Sequence, residues 1–415
     1  MIINKFGGAS IKDADAIKRM AQICNDTILN GIVVVSAMGK TTNLLEKIAS
    51  NYFVKKPFSD YLQEFRNYHK QIIDALFSKN HTVSSNFDLI AEKLAKKLQA
   101  APSSNYDFEY DQIVPFGELA SVLIVSEYLI VFGKPVISKD IRDSLKTDST
   151  YRNAKVDWEL SKKLVVNNFD DLQNKLYLTQ GFIGADANGS TTTLGREGSD
   201  FTAAALANIL NADKVVVWKD VPGIMCADPN WLPNTNKIER LSYLDAIELA
   251  FYGAKVIHPK TIKPLQNKNI PLQVRSFINI SDAGTLINNF ENLKIPPVYI
   301  KKNNQILISI KPVDYSFIVE ENLSHIFAIL AKNNINVNLM QNSAVSFSII
   351  ADNEMYRVKN GIKELKEHYN VKYNDGLELI TIRHNTLGAE DLVLSGKTVL
   401  VEQHSRLVAR FLVRQ

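Results

Sequence analysis

The sequence predicts an α/β fold, a three-layer sandwich with a mainly parallel central sheet, followed by a smaller βαββαβ region with one complete unit and one reduced unit. Three observations carry this. Short apolar runs alternate with amphipathic helical patterns through residues 1–288, the rhythm of parallel strands joined by crossover helices. An Asn-rich stretch with a Pro-Pro pair at 288–297 then breaks that rhythm. Beyond it the order becomes strand, helix, strand, strand, helix, strand, a ferredoxin-like arrangement.

Met1-Ile2-Ile3 opens a strand that ends in Lys5-Phe6-Gly7-Gly8-Ala9-Ser10. Ile17, Met20, Ala21, Cys24 and Ile28 then share one helical face, and Ile32-Val33-Val34-Val35 reads as a fully buried strand. Segments 59–77 and 86–99 are charged amphipathic helices, a lid or an inserted helical layer. Residues 117–132 are apolar on most faces, as a helix covered on both sides must be, and Pro135-Val136-Ile137 returns to the sheet. A strand at 175–180, a helix at 199–210, the strand Lys214-Val215-Val216-Val217-Trp218, helices at 242–251 and 259–267 and a strand at 272–276 complete the first body. After the break come a strand at 306–310, a helix at 321–333, strands at 335–340 and 344–351, a helix at 355–369 and a strand at 371–374. From Leu377 strands recur at 377–383, 397–402 and 406–413, with no strong helix between the first two and none after the last. The expected divisions are 1–288, a linker at 289–300, a βαββαβ module at 301–376 and a shortened second module at 377–415.

At 415 residues the chain exceeds what one core organises, and 46% hydrophobic with 22% charged content is that of a soluble globular protein. A net charge of +4, with lysines scattered, excludes a nucleic-acid stripe. Cys24 and Cys226 stand far apart without metal-ligand spacing, which fits a reducing cytosol. The N-terminus enters a strand directly and no apolar run approaches about 18 residues, so the expectation is a cytoplasmic protein with no membrane partner. The histidines form no catalytic triad and no metal-spaced set.

Four polar loops fall at strand ends, where ligands bind in α/β sheets. In the first, Lys5 with Gly7 and Gly8 suits a phosphate: glycine lets amides approach, and the ammonium neutralises charge. A plain turn is the alternative reading. The second, Ser36-Ala37-Met38-Gly39-Lys40-Thr41-Thr42-Asn43, offers hydroxyls either to anionic oxygens or to a helix start. The third, Thr193-Leu194-Gly195-Arg196-Glu197-Gly198-Ser199-Asp200, opens a helix of small residues, where amides and the Arg196 fork attract a carboxylate or phosphate. Asp200 there either acts in the site or merely favours the first turn. The fourth, Trp218-Lys219-Asp220-Val221-Pro222-Gly223-Ile224 with Asp228-Pro229, is the kind of rim that holds a base and ribose. Glu118 opens an apolar helix, where it suits the helix dipole or a substrate ammonium. Lys255 could reach phosphates or lie on the surface, and His258, before a proline, reads as a cap or packing residue.

In this order, Lys5-Phe6-Gly7-Gly8, Val35-Ser36-Ala37-Met38-Gly39 with Thr42-Asn43-Leu44-Leu45, Gly117-Glu118, Gly195-Arg196-Glu197-Gly198-Ser199-Asp200-Phe201-Thr202-Ala203, Trp218-Lys219-Asp220-Val221-Pro222-Gly223 and Gly253-Ala254-Lys255-Val256-Ile257-His258-Pro259 resemble the aspartokinases. The resemblance spans nearly the whole chain, because that family carries ACT-type βαββαβ modules after an amino-acid kinase domain. It implies ATP-dependent phosphorylation of the β-carboxylate of L-aspartate, the first step toward lysine, threonine and methionine. It implies further that Lys5, with the amides of Gly7 and Gly8, holds the transferring phosphoryl group, and that Lys5 and Asp200 are catalytic. Ser36, Thr42 and Ser199 would line the aspartate pocket, Glu118 would meet the ammonium, and Arg196 with Asp200 would orient the amino acid. Lys219, Asp220, Met225, Asn230 and Lys255 fall at positions that contact ATP. Mg²⁺ would be held mainly by ATP, with no protein metal site, and the ACT region would join the chain into a homodimer or higher homo-oligomer.

A carboxylate nucleophile is already ionised at neutral pH, so such a reaction needs no general base, and the sequence offers none. The chain departs from the family at Glu197, often glycine, at Met225, often tyrosine, and at Asn230, often arginine. Lysine-sensitive members tend to carry an acidic residue at the place of Asn338, and an amide cannot neutralise an ammonium, which argues against lysine as inhibitor. The competing readings are a kinase of glutamate or N-acetylglutamate, and a catalytically silent ACT-type amino-acid sensor.

Overall fold

Eight strands form the first sheet, in the order Arg240–Ser242, Thr285–Asn288, Leu272–Ser276, Lys214–Lys219, Ile2–Phe6, Gly31–Val35, Leu176–Gln180 and Ile137–Lys139. The structure, a computed structural model, describes residues 1–254, 257–314 and 316–414. Every neighbouring pair is parallel except Leu272–Ser276 with Thr285–Asn288. The central strands are buried along their length, which is why they read as unbroken apolar runs rather than as alternation.

Helices cover both faces. Asp13 caps Ala14–Thr27 by accepting from the Ala16 amide at 2.8 Å. Ser59–Leu76 and Val83–Gln99 pack Phe65, Ile72, Phe87 and Leu94 into the same core as Val33, Val35 and Ile124, so the charged insertion is a layer of the fold. The helices Tyr106–Ile113 and Phe116–Val131 together make the one described stretch long and apolar enough to span a membrane, and most of its apolar core is buried inside the protein. Among the elements that escape the sequence pattern are Tyr106–Ile113, started by Asn105, Trp158–Asn168, started by Asp157, the hairpin Ile183–Ala185 with Thr191–Thr193, and the two outermost strands at one end of the sheet, Arg240–Ser242 and Thr285–Asn288. The hairpin's second strand is three buried threonines, which carry no apolar signal.

The residues group into two units, one of 1–224, 237–247 and 256–293, the other of 225–236, 248–255 and 294–415. The second unit is built on a six-stranded antiparallel sheet, in the order Val337–Ser343, Ser346–Asp352, Val298–Pro312, Tyr369–Arg383, Val408–Arg414, Thr398–His404. Its two central strands are each 15 residues long and belong to both halves. Register slips between Lys302 and Gln305, where Asn304 is left-handed, and Gly376 takes φ 66 on the partner strand. The expected strands at 371–374 and 377–383 are thus one strand, which begins at Tyr369, inside the stretch read as helix.

The first half is a complete βαββαβ unit, with helices Glu320–Lys332 and Met355–Leu365 over Ile306, Ile308, Ile310, Phe347 and Ile349. The second half takes strands from 377–383, Thr398–His404 and Val408–Arg414, and a fourth from residues 298–302, which pair Val298 with Arg383 and Lys302 with Leu379. That strand begins inside the stretch read as linker, so the complete module is threaded through the reduced one. A single turn, Asp391–Leu394, and the side chains of Trp231 and Leu232 cover Ile380, Ile382 and Phe411 where helices would otherwise lie.

Candidate active site

Register brings the strand ends together. Lys5 lies opposite Val34 and Val217, Phe6 opposite Val35 and Trp218, and Val35 opposite Gln180, so the loops after these strands open on one edge of the sheet. Gly8 packs on the next loop: a Cβ there would come within 2.6 Å of the Ala37 carbonyl oxygen and 3.0 Å of that of Gly39. The Gly8 carbonyl accepts from the Gly39 amide at 3.0 Å, which welds the lysine-glycine turn to the serine-threonine loop. A methyl group on Gly7 would sit 3.5 Å from Lys5 Nζ, so the space above that glycine is the lysine's own.

Lys5 is buried and its Nζ lies 2.5 Å from Oδ1 of Asp200, also buried. Burial pushes the Asp200 carboxyl up, but the charges of Lys5 and Lys219 outweigh it and hold the group below its ordinary range. Asp200 sits in the first turn of Gly198–Leu210, which is aimed at the strand Ile2–Phe6. Its ion-pair partner is thus Lys5, the other residue read as catalytic. Arg196 lies two residues before that helix, exposed, with no hydrogen bond or ion pair among the described residues. Ser199 is buried at the helix start against Gly181, where a Cβ would stand 2.5 Å from that of Ser199.

Glu118 occupies the first turn of Phe116–Val131 and is 2% exposed. Its helix comes so close to the Ser36–Thr42 loop that a Cβ on Gly117 would meet Ala37 Cβ at 2.9 Å and Thr41 Cγ2 at 3.0 Å. Glu118 Oε1 accepts from the Ala37 amide at 3.2 Å, while Oε2 is buried with no partner among the described residues. Burial pushes this carboxyl up to about 8. A buried acceptor without a donor is costly, and an ammonium is the donor that would both satisfy and ionise it. Ser36 and Thr42, half-buried, line the same loop.

Glu197 is left-handed at φ 52 where the helix begins, and its carboxylate accepts from the His258 amide at 2.7 Å. His258 caps Pro259–Gln266 through Nδ1, which accepts from the Lys260 amide at 3.2 Å. Of the residues read as nucleotide contacts, Lys219 ends the strand that pairs with Ile2–Phe6 and Asp220 follows it. Met225 and Asn230 belong to the second unit, where the Asn230 amide and side chain both donate to Asp228 at 3.0 Å. Lys255 lies outside the described residues.

Several supporting contacts gave no sequence signal. Trp218, read only as the start of the fourth loop, donates from Nε1 to Asn4 Oδ1 at 3.1 Å, stacks on Phe6 and accepts from Ser10 at its carbonyl, which fixes the base of the lysine-glycine turn. Asp111 and Thr193 join across 82 residues of sequence. No cluster of three or more His, Cys, Asp or Glu positioned for a metal occurs among the described residues.

The amino acid kinase family model matches residues 1–276. Lysine-sensitive aspartokinase 3 of Escherichia coli is 32% identical over 396 residues, which cover 93% of this chain and 88% of that protein. The chain belongs to the aspartokinases of the amino acid kinase family. Among aspartokinases of known structure, E. coli aspartokinase III in complex with lysine and aspartate superposes with a TM-score of 0.84 at 29% identity, covering 100% of this chain and 96% of that one. The complex of the same E. coli enzyme with aspartate and ADP gives 0.81 at 30% identity and the same coverage. The aspartokinase also matches the bifunctional aspartokinase/homoserine dehydrogenase of Buchnera aphidicola at 30% identity over 305 residues, 69% of this chain and 36% of that longer protein.

Proposed function

We infer that this aspartokinase phosphorylates the β-carboxylate of L-aspartate with ATP, giving 4-phospho-L-aspartate and ADP. The observation that carries the reading is the unpaired Oε2 of buried Glu118 beside the Ser36–Thr42 loop, a receptor for a free α-ammonium. It is joined by the Lys5–Asp200 pair at the phosphate turn. A β-carboxylate oxygen attacks the γ-phosphorus, the bond from that phosphorus to the β-phosphate bridging oxygen breaks, and ADP leaves with the electron pair. Lys5 and the amides around Gly7 and Gly8 stabilise charge on the transferring phosphoryl oxygens, Asp200 fixes the Lys5 ammonium, and Arg196 holds a substrate carboxylate. The acceptor is ionised at neutral pH, so no general base is required. Mg²⁺ carried with ATP would neutralise charge on the phosphate oxygens, beside Lys5 and Asp200.

The test is ATP turnover with aspartate, glutamate and N-acetylglutamate in parallel, with the acyl phosphate trapped by hydroxylamine. Aspartate is expected to be preferred, and N-acetylglutamate, which has no ammonium for Glu118, to be inert. Equal use of the three acceptors would overturn the assignment, and no turnover with any would favour an amino-acid sensor.

A further inference from the structure

Asp111, on the helix Tyr106–Ile113, is fully buried and makes no ion pair among the described residues. Three donors converge on its two oxygens: Oδ2 accepts from the Thr193 amide at 2.7 Å and the Arg152 amide at 3.0 Å, and Oδ1 from the Thr193 hydroxyl at 2.7 Å. The nearby guanidinium of Arg152 turns elsewhere, lying over the Tyr110 ring at 4.6 Å and pairing with Asp107 and Glu46. A carboxylate buried on hydrogen bonds alone is expensive, and burial pushes this one up to about 6.

What it holds is the approach to Arg196. Thr193 ends the strand Thr191–Thr193, and the next residues are each fixed. The Leu194 carbonyl accepts from Lys260 Nζ at 2.8 Å, and Gly195, at φ 78, leaves only 3.0 Å between a would-be Cβ and Asn153 Oδ1 and 3.1 Å to the Arg152 carbonyl oxygen. The same Arg152 that donates to Asp111 thus forms the wall under Gly195. The chain is held by these contacts up to Arg196, whose side chain is exposed and has no hydrogen bond or ion pair among the described residues. Such a site has its ordering cost met before the ligand arrives.

We propose that Asp111 is a positioning residue that presents Arg196 to the amino-acid substrate through Thr193 and the Arg152 amide. This rests on the reading of Arg196 as a substrate ligand.

The test compares the full chain with Asp111→Ala, Asp111→Asn and Thr193→Val, after wild-type turnover with aspartate has been established; absent wild-type turnover would count against the functional reading itself. For Asp111→Ala the KM for aspartate is expected to rise by about tenfold or more, with the KM for ATP within about twofold. Asp111→Asn should restore most of the loss, because an amide oxygen can accept from both backbone amides while its NH₂ donates to the Thr193 hydroxyl. Thr193→Val, which removes one hydrogen bond and keeps the shape, should raise the aspartate KM by a smaller factor, and it decides the matter if Asp111→Ala does not fold. An aspartate KM that rises no more than the ATP KM in the folded variants, or an Asn variant as impaired as Ala, would overturn the proposal.

Discussion

Lys5 and Glu118 place two opposite electrostatic problems within one cleft. The Lys5 ammonium is buried but matched by Asp200, so in the proposed mechanism it would meet a phosphoryl group already ordered and without an unpaired charge. Lys5→Ala should lower kcat by roughly a hundredfold or more, the scale for losing a preorganised charge, and single-turnover kinetics with saturating substrates checks it. An unchanged rate would remove Lys5 from the mechanism. Glu118 has one oxygen, Oε2, buried without a partner among the described residues. Its carboxyl sits up at about 8 in the free protein, against an ordinary 4.5, so at neutral pH most molecules hold it protonated. Binding an ammonium requires the ionised form, so apparent aspartate affinity should weaken by up to about tenfold per pH unit below 8. Aspartate KM measured from pH 6.5 to 9 tests this, and Glu118→Gln should flatten the profile while raising KM. Stability follows the same linkage. The folded state holds this proton more tightly than the unfolded one, so the contribution is complete below 4.5 and lost as pH rises through 8. Ligand-free Glu118→Gln should therefore melt higher than wild type at pH 8.5, and a lower melting temperature would contradict the account.

Elements set which of these side chains meet. Gly198–Leu210 begins at a left-handed Glu197, and that sharp entry turns its first turn, with Asp200, toward Lys5 while leaving Arg196 on the preceding loop. The two loops can touch because Gly8 carries no side chain toward Ala37 and Gly39, while the bend at Gly39 needs its φ of 53 and the space under the Tyr68 hydroxyl, which a Cβ would approach to 2.5 Å. In the second unit, Asn338 on Val337–Ser343 spends its amide internally. It accepts from Lys302 Nζ at 2.9 Å and donates to Gln305 at 2.8 Å and Asp352 at 3.0 Å. An ammonium of the chain itself thus meets the amide that stands where an acidic residue would receive lysine. Millimolar lysine is expected to leave aspartate-dependent turnover within about twofold of the uninhibited rate, and a steep inhibition curve would refute this. A rise in lysine sensitivity in Asn338→Asp would tie the effect to that amide.

At the scale of the whole molecule, the threaded modules make one sheet with an open outer edge at Val337–Ser343, where Met340 is exposed. Such an edge pairs readily with a second strand. The chain is expected to sediment as a homodimer or larger homo-oligomer, and a monomer at micromolar concentration would exclude the ACT region as a self-association surface. The sequence by itself determined the strand rhythm of the first body, the loops that carry Lys5, Ser36, Arg196 and Lys219, and the complete βαββαβ module. Each of these is written in local apolar period, in glycine, and in helix-start chemistry, which neighbouring residues settle among themselves. Tertiary structure alone decided that Asp200 pairs with Lys5, that Asp111 reaches Thr193 across 82 residues, and that residues 298–302 supply the missing strand of the reduced module. Those contacts join segments far apart in sequence, and a buried threonine strand or a lone aspartate has no local pattern to announce its partner. The phosphate turn is legible because a glycine's freedom is a local property; the charge that completes it is decided by packing.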